Sequence, residues 1–456
     1  MLMVLLLIIG ALMAGPMLQQ YFLTDNFRLK VTEAMEEALD ASVTISPIRR
    51  ADDTLFSGHI LIRPRNEGAY REAVLREVRL KLKPPGLGHW HWNLSRIEIA
   101  SIELDAMQAE GHSLLPPAEK QIAPPVPEKA PPFWIHWLPD EVKISPARVR
   151  DFTIRWGRNE RDGGILERCL LLATFHPDRI DLSGAGGRLR QPGAPMADLR
   201  TVEARLAEDR LFITRAELAV DSGRIEVAGE VAFESPTQLD LQLQFANLDL
   251  ARFLEPDWQK KISGRIEGTA DLVATVDQSV QVTGRAETRD MVITALPVLD
   301  ELALFTTLRD FRRLAVHEAQ SDFRWRPGNL ELTNLHVEAE GLLLIKGGLA
   351  VEGEQLDGLV NVGLTARSLQ WIPGARDKVF TDQSGIYQTT PVHIAGTRDR
   401  PKEDLTRRLA VGAATSTVEK AGEVATQAGK KANEVADDLQ QLPAKTIDRL
   451  FDLLPQ

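Results

Sequence analysis

Two histidines in the segment HWHW come closest to a recognisable chemical site. His89 and His91 would share one face of a β-strand, because alternate side chains of a strand point the same way. Two imidazoles at this spacing can bind a transition metal, but a protein site usually supplies a third ligand, and none is evident nearby. Trp90 and Trp92 would lie on the opposite face. The pattern favours a sheet-edge or interfacial aromatic pair, and we expect neither a metal nor a cofactor.

Little else in the sequence is typical of an enzyme. The single cysteine, Cys169, cannot form an internal disulfide or a cysteine cage for a metal, and its type favours a small buried residue over a nucleophile. The sequence contains no G-x-S-x-G, G-x-x-x-x-G-K-[ST], H-E-x-x-H or G-x-G-x-x-G motif. With 54 basic and 65 acidic residues the net charge is −11, which argues against a nucleic-acid partner. We therefore expect a protein that is not an enzyme.

The N-terminus has the length and composition of a membrane anchor. Met1 to Leu23 contains no charged side chain, and about 20 apolar helical residues cross a bilayer core. Residues 1–23 are therefore predicted to form a transmembrane helix. Aromatic residues are typical of the membrane interface. The residues expected to contact the membrane are Leu5, Leu6, Leu7, Ile8, Ile9, Tyr21 and Phe22.

A cleaved signal peptide is the alternative interpretation of this segment. A signal peptide has a basic start and small residues at its cleavage site, whereas no Lys or Arg precedes the apolar run and no A-x-A site follows it. These features favour an uncleaved anchor. Arg28 and Lys30 follow the segment, and the positive-inside rule taken alone would keep them in the cytoplasm. The side of the membrane therefore has to be inferred from other features.

The remaining chain is predicted to be mainly β, with a few short helices. Region 24–112 begins with an amphipathic helix bearing Phe27, Val31, Met35 and Leu39, and continues as a first β region. Region 113–133 is Pro-rich and is predicted to be a linker or loop, since Pro disfavours central strands. Region 134–400 is predicted to be a long antiparallel meander with an inserted helix near 296–312.

Alternating apolar residues define one face of this meander. The clearest run is LDLQLQF, in which apolar and polar side chains alternate strictly, and neighbouring segments repeat the pattern. A sheet with one apolar face must cover that face. A second sheet would give a closed sandwich, whereas curling would give a groove that holds lipid chains. The candidates for lining such a groove are Ile225, Val227, Leu239, Leu241, Leu243, Phe245, Leu272 and Val276.

Residues 401–456 are predicted to form a polar helical tail. Its seam is mostly Ala and Val, which buries little apolar area, and three glycines weaken the helix further. We expect the segment to be dispensable for folding of the β body. The large apolar side chains near its end are the candidates for contact with the sheet end, a partner or a bilayer: Ile447, Leu450, Phe451 and Leu454.

The order of these elements resembles the AsmA-like family, membrane-anchored proteins of the Gram-negative envelope. Two regions carry the resemblance: the anchor with the following segments NFRLKVTEAMEEALDASVTI and SRIEIASIELD, and the C-terminal stretch from LPVLDELALFTTLRDFRRLAV through SDFRWRPGNLELTNLHVEAEGLLLIKGGLAV to VHIAGTRDRPKEDL. The resemblance implies a single-pass inner-membrane protein whose bulk is periplasmic. It also implies a β-groove related to those of bridge-like lipid-transfer proteins. The family supplies no catalytic residues.

From the residues and the resemblance together, we expect a protein that binds or conducts phospholipid or another acyl-chain lipid and supports outer-membrane biogenesis. The inner membrane and envelope proteins are the expected partners. The alternative is an envelope assembly or scaffolding factor with a closed β core and no lipid transport. In a groove, the stripe Leu239, Leu241, Leu243 and Phe245 would be partly open; in a sandwich it would be fully buried.

Overall fold

The computed structural model describes most of the β region and the helices that pack on it. The described residues are 20–65, 70–83, 92–107, 142–157, 163–233, 237–254, 256–275, 280–294, 313–372, 374–398, 400–413 and 415–416. Among them, no helix combines the length and the apolar character needed to cross a membrane. The predicted anchor residues 5–9, the Pro-rich segment 113–133, the inserted helix near 296–312 and the tail contact residues 447–454 lie outside these ranges.

The prediction of a mainly β protein is confirmed, although the strand pairing is mixed. The strands are β1 (Ala41–Ile45), β2 (Arg49–Ala51), β3 (Thr54–Pro64), β4 (Glu72–Lys83), β5 (Trp92–Met107), β6 (Val142–Ile144), β7 (Ala147–Gly157), β8 (Gly164–Phe175), β9 (Ile180–Ala185), β10 (Arg188–Arg190), β11 (Ala197–Ala207), β12 (Arg210–Val220), β13 (Gly223–Ala232), β14 (Gln238–Asp249), β15 (Ile262–Thr275), β16 (Gln281–Thr294), β17 (Arg313–Val316), β18 (Glu318–Arg326), β19 (Asn329–Ala339), β20 (Leu343–Glu352), β21 (Gln355–Thr365), β22 (Asp382–Ser384), β23 (Tyr387–Thr397) and β24 (Arg400–Glu403). The helices are α1 (Asp25–Leu39), a 3-10 turn (Leu250–Phe253), α2 (Pro256–Gln259), α3 (Ala366–Leu369), α4 (Ala375–Lys378) and α5 (405–413).

The chain divides into two compact units. The N-terminal unit comprises Met1–Gln259, Arg265–Ala286 and Phe323–Pro327. The C-terminal unit comprises Lys260–Gly264, Glu287–Asp322 and Gly328–Gln456.

Strand pairing in the N-terminal unit departs from the predicted antiparallel meander at β5. This strand pairs in parallel with β6 and β7, whereas its pairing with β4 and the pairing of β7 with β8 are antiparallel. Parallel neighbours need a connection of a dozen or more residues, which the segment 108–141 provides. The purely antiparallel prediction is therefore wrong here. The strands on either side of the Pro-rich segment belong to one sheet.

Helix α1 covers the beginning of that sheet. Thr24 caps it by accepting a hydrogen bond from the Phe27 N–H, and Asp40 ends it in the left-handed region with φ 44°. Val31 and Met35 pack against the buried side chains of β1, β3 and β4, while the predicted contact Leu39 is exposed. The helix also covers the open edge of the sheet, since the Val43 N–H in β1 donates to the Glu36 carboxylate at 2.9 Å.

The C-terminal unit has a closed core at the end of its antiparallel sheet β19–β20–β21–β23–β24. Phe380, Leu364 and Leu369 are at most 1% exposed, and Leu405 and Leu409 of α5 are 1% and 2% exposed. The boundary predicted at 400/401 falls inside β24, and the residues directly after it belong to this core. The start of the predicted tail is therefore part of the folded unit.

Candidate functional site

The predicted apolar stripe lies on β14, between β13 and β15. Across β13, Leu243 faces Val227 and Phe245 faces Ile225. Across β15, Leu241 faces Leu272. Cross-strand partners in a sheet share one face, so the structure brings together every described candidate for the groove. The remaining candidate, Val276, lies outside the described residues.

The apolar character of this face continues across the N-terminal unit. Successive partners from β3 to β15 form one row of Leu55, Leu80, Ile97, Ala147, Ala173, Leu182, Ala204, Ile213, Gly229, Leu241 and Leu272. The neighbouring row is Ser57, Val78, Ile99, Val149, Leu171, Gly184, Val202, Ala216, Val227, Leu243 and Ala270. Neither row contains a charged side chain, and apart from Ser57 the two rows consist of aliphatic residues and glycine.

The opposite face of the same strands carries most of their charged and polar side chains, together with the exposed apolar residues Phe212 and Val273. Asp240 and Gln242 of β14 are exposed, and Glu230 and Asp271 are their respective partners on β13 and β15. Ion pairs between neighbouring strands add to this surface, as between Arg210 and Glu230 at 3.3 Å. The sheet therefore separates a mostly charged and polar face from an apolar one.

The burial of the large side chains of the second row differs between the two ends of the sheet. In the second row, Val78, Ile99 and Val149 are 4%, 7% and 2% exposed, because α1 and its neighbours pack over that part. Farther along the row, Val227 and Leu243 are only half-buried. Leu239, Leu241, Phe245, Ile225 and Leu272 have the same intermediate burial. The other residues do not follow this trend: Ala216 and Ala270 are 8% and 6% exposed, and Leu55, Leu80 and Ile97 of the first row are half-buried at the α1 end.

One glycine lets β13 and β14 approach closely within this half-buried part. Gly229 has φ 140°, and a Cβ there would lie 2.2 Å from the backbone oxygen of Asp240. Any residue with a side chain would be strained at this backbone angle, and its Cβ would collide with that oxygen. The gap in the side-chain row at Gly229 lies directly beside Leu241.

Cys169 belongs to the buried part of the face. It pairs with Phe152 of β7 and is 1% exposed. Burial raises the pKa of its thiol, which favours the protonated, unreactive form. The environment is that of a packing residue.

Tyr21 and Phe22, the described members of the predicted membrane contacts, pack on the protein. Tyr21 is 8% exposed and Phe22 is 6% exposed, and their contact with the membrane interface stays a prediction. Both pack with Phe27, Leu55 and Leu82 on the protein, and the Tyr21 and Phe27 rings meet edge to face at 5.7 Å.

A group of possible metal ligands in the C-terminal unit was missed by the sequence analysis. One ligand atom each from Glu318, His336 and Glu338 lies within 4.8 Å of the others. His336 and Glu338 alternate on β19 and therefore share a face. The pattern His-x-Glu was the available signal, but the sequence alone did not reveal that Glu318 joins it. The histidine pair of the sequence analysis, His89 and His91, lies outside the described residues.

Comparison of the chain with protein-family models, curated proteins and solved structures finds no match.

Proposed function

We propose that the half-buried apolar face of β13–β15 binds acyl chains of phospholipid or a similar lipid. The observation that carries this proposal is the intermediate burial of Leu239, Leu241, Leu243 and Phe245. These side chains sit in a face without charged residues. A closed sandwich would bury such a stripe completely. A face that lies against water would be expected to carry mostly charged and polar side chains, as the opposite face of these strands does.

The chemistry of the face suits hydrocarbon. Each methylene moved from water to an apolar surface contributes roughly 0.8 kcal/mol, so an acyl chain gains affinity from length without needing a specific polar contact. The two apolar rows run across many strands and contain one hydroxyl, that of Ser57. Ser57 is itself satisfied by a 2.8 Å hydrogen bond with Ser46. A lipid chain on this face therefore meets no unpaired polar group from either row.

The remaining parts of the proposal rest on the sequence. The uncharged N-terminal segment 1–23 would anchor the chain in a membrane. The resemblance to the AsmA-like family assigns that membrane to the inner membrane and the body to the periplasm, where the protein would support outer-membrane biogenesis. The proposal involves no catalytic step: the protein binds the acyl chain without changing it chemically.

Site-specific photocrosslinking tests the lipid contact. A photoreactive phenylalanine analogue placed at Leu241 or Leu243 of the full-length protein, expressed in its native membrane, should capture lipid. The matched controls are Asp240 and Gln242, which are adjacent in sequence but lie on the exposed polar face. Mass spectrometry of the crosslinked protein should detect lipid adducts on the first pair and not on the second.

Two outcomes would count against the proposal. Equal lipid capture at both pairs would indicate non-specific exposure to the membrane. Capture of another protein at Leu241 and Leu243, without lipid, would favour the alternative of an envelope scaffolding factor whose face is a protein interface.

A further inference from the structure

Glu318, His336 and Glu338 form a compact ligand set on two strands of the C-terminal unit. His336 Nε2 lies 3.5 Å from Glu338 Oε2. The backbone N–H of His317 donates to the Glu338 carbonyl at 2.9 Å, which places the start of β18 beside this part of β19. The side chain of Glu318 thereby reaches the other two, so that the three ligand atoms lie within 4.8 Å of one another.

The set is rich in negative charge. Two carboxylates face one imidazole, so the group has a net negative charge whether or not His336 is protonated. Lys346 is the cross-strand partner of His336. In the part of the chain that the structure describes, however, neither Lys346 nor an arginine forms an ion pair with Glu318 or Glu338. Like charges at this separation repel, and a bound dication would reverse the sign of the interaction.

Hydrogen bonds also hold the Glu338 carboxylate in place. The hydroxyl of Tyr387, a residue 3% exposed on β23, donates to Glu338 Oε1 at 3.0 Å. The Gly341 N–H in turn donates to the Tyr387 hydroxyl oxygen at 3.2 Å. This leaves Oε2 directed toward His336. Hydrogen bonds of this kind orient ligating carboxylates in metal sites.

We propose that Glu318, His336 and Glu338 bind a divalent transition-metal ion such as Zn²⁺. One imidazole nitrogen and two carboxylate oxygens are ligands that Zn²⁺ accepts, with a fourth position left for water. Mg²⁺ prefers an octahedron of oxygen ligands and fits this set poorly. The bound ion would join the first residue of β18 to β19. It would thereby stabilise the strand pairing beside the closed core of the unit, independently of lipid binding elsewhere.

Zinc titration of the full-length protein in detergent tests the site. The experiment uses a His89→Gln/His91→Gln background, because these residues are a second possible zinc site. In this background, we expect one Zn²⁺ to bind per chain and to raise the thermal transition. Glu318→Gln and His336→Gln should each weaken binding about 10-fold or more, and Tyr387→Phe should weaken it about 10-fold through Glu338.

Two controls keep the test specific. His393→Gln removes an exposed histidine of β23 outside the ligand set and should leave the affinity unchanged. Glu318 is exposed, so Glu318→Gln should preserve the fold in the absence of metal. The proposal is overturned if the background protein binds no Zn²⁺, or if Glu318→Gln and His336→Gln bind it as tightly as their parent.

Discussion

Val149 and Val227 lie in the same row of the same apolar face, yet their environments differ. Val149 is 2% exposed and belongs to the cluster that α1 covers, whereas Val227 is half-buried. Both strands show the same alternation of side chains, and the residue type is identical. The contrast shows that an apolar strand face is not evidence of a closed core. What matters is whether another element packs over the face.

The C-terminal unit shows a related contrast between the two sides of one helix. Leu409 of α5 is 2% exposed and packs into the closed core, while Val411 is 60% exposed. In both units, helices close part of the structure by supplying large apolar side chains. The half-buried part of β13–β15 is therefore the region where we expect an external ligand to complete the burial.

The largest predicted effect comes from placing a carboxylate at the two valines of the shared row. Val149→Asp buries a charge in a covered core and should cost several kcal/mol, enough to unfold the N-terminal unit. Val227→Asp should cost about 1–2 kcal/mol, since water can reach the charge. Thermal unfolding of the full-length variants measures the difference in stability between them. Hydrogen exchange then shows which strands have lost protection.

Equal destabilisation by these two substitutions would mean that the face is closed along its whole length. The lipid-binding proposal would then fail, and the scaffold alternative would gain support. If Val227→Asp instead remains folded but loses copurified lipid, the half-buried part of β13–β15 is the lipid-binding region.

The second prediction concerns α5. Leu409→Ala should destabilise the C-terminal unit by about 2–5 kcal/mol because it leaves a cavity in a closed core. Val411→Ala should change the stability by no more than about 0.5 kcal/mol, since the side chain is exposed. Denaturant unfolding measures the change in stability of each variant. Hydrogen exchange of β21 and β23 shows whether the C-terminal unit is the part that is destabilised.

Truncation extends this comparison to the whole tail. Removal of residues 417–456 should leave the thermal transition within a few degrees of the full-length protein. Removal from residue 405 onward should lower it strongly, because Leu405 and Leu409 are lost from the core. A large loss from the shorter truncation would show that the last residues also contribute to folding.

The smallest predicted effect concerns helix α1, which covers the beginning of the N-terminal sheet. Met35→Ala removes a half-buried contact of α1 with the sheet and should cost about 1–2 kcal/mol. Glu33→Gln, on the exposed side of the same helix, is the matched control and should be nearly neutral. Exchange protection of β1 should fall in the first variant only; unchanged protection would mean that α1 does not hold this end closed.

Several features of the fold could be predicted because they depend on local patterns. The alternation in LDLQLQF predicted β14 and its apolar face, and the spacing of Val31 and Met35 predicted the buried side of α1. Parallel pairing at β5 could not be predicted, because it depends on how a long connection returns the chain to the sheet. The placement of Glu318 beside His336 and Glu338 was equally inaccessible, since it joins residues from different strands.

The sequence by itself determined that the chain is mainly β, that its strands have one apolar and one polar face, and that its first residues are uncharged. These properties follow from residue types at a period of two or from an unbroken apolar run. Only the tertiary structure decided that Tyr21 and Phe22 are buried against protein and that α5 completes a core. It also decided that Leu241 and Leu243 remain half-buried. Burial is a property of what packs over a residue, and strand alternation carries no information about that partner.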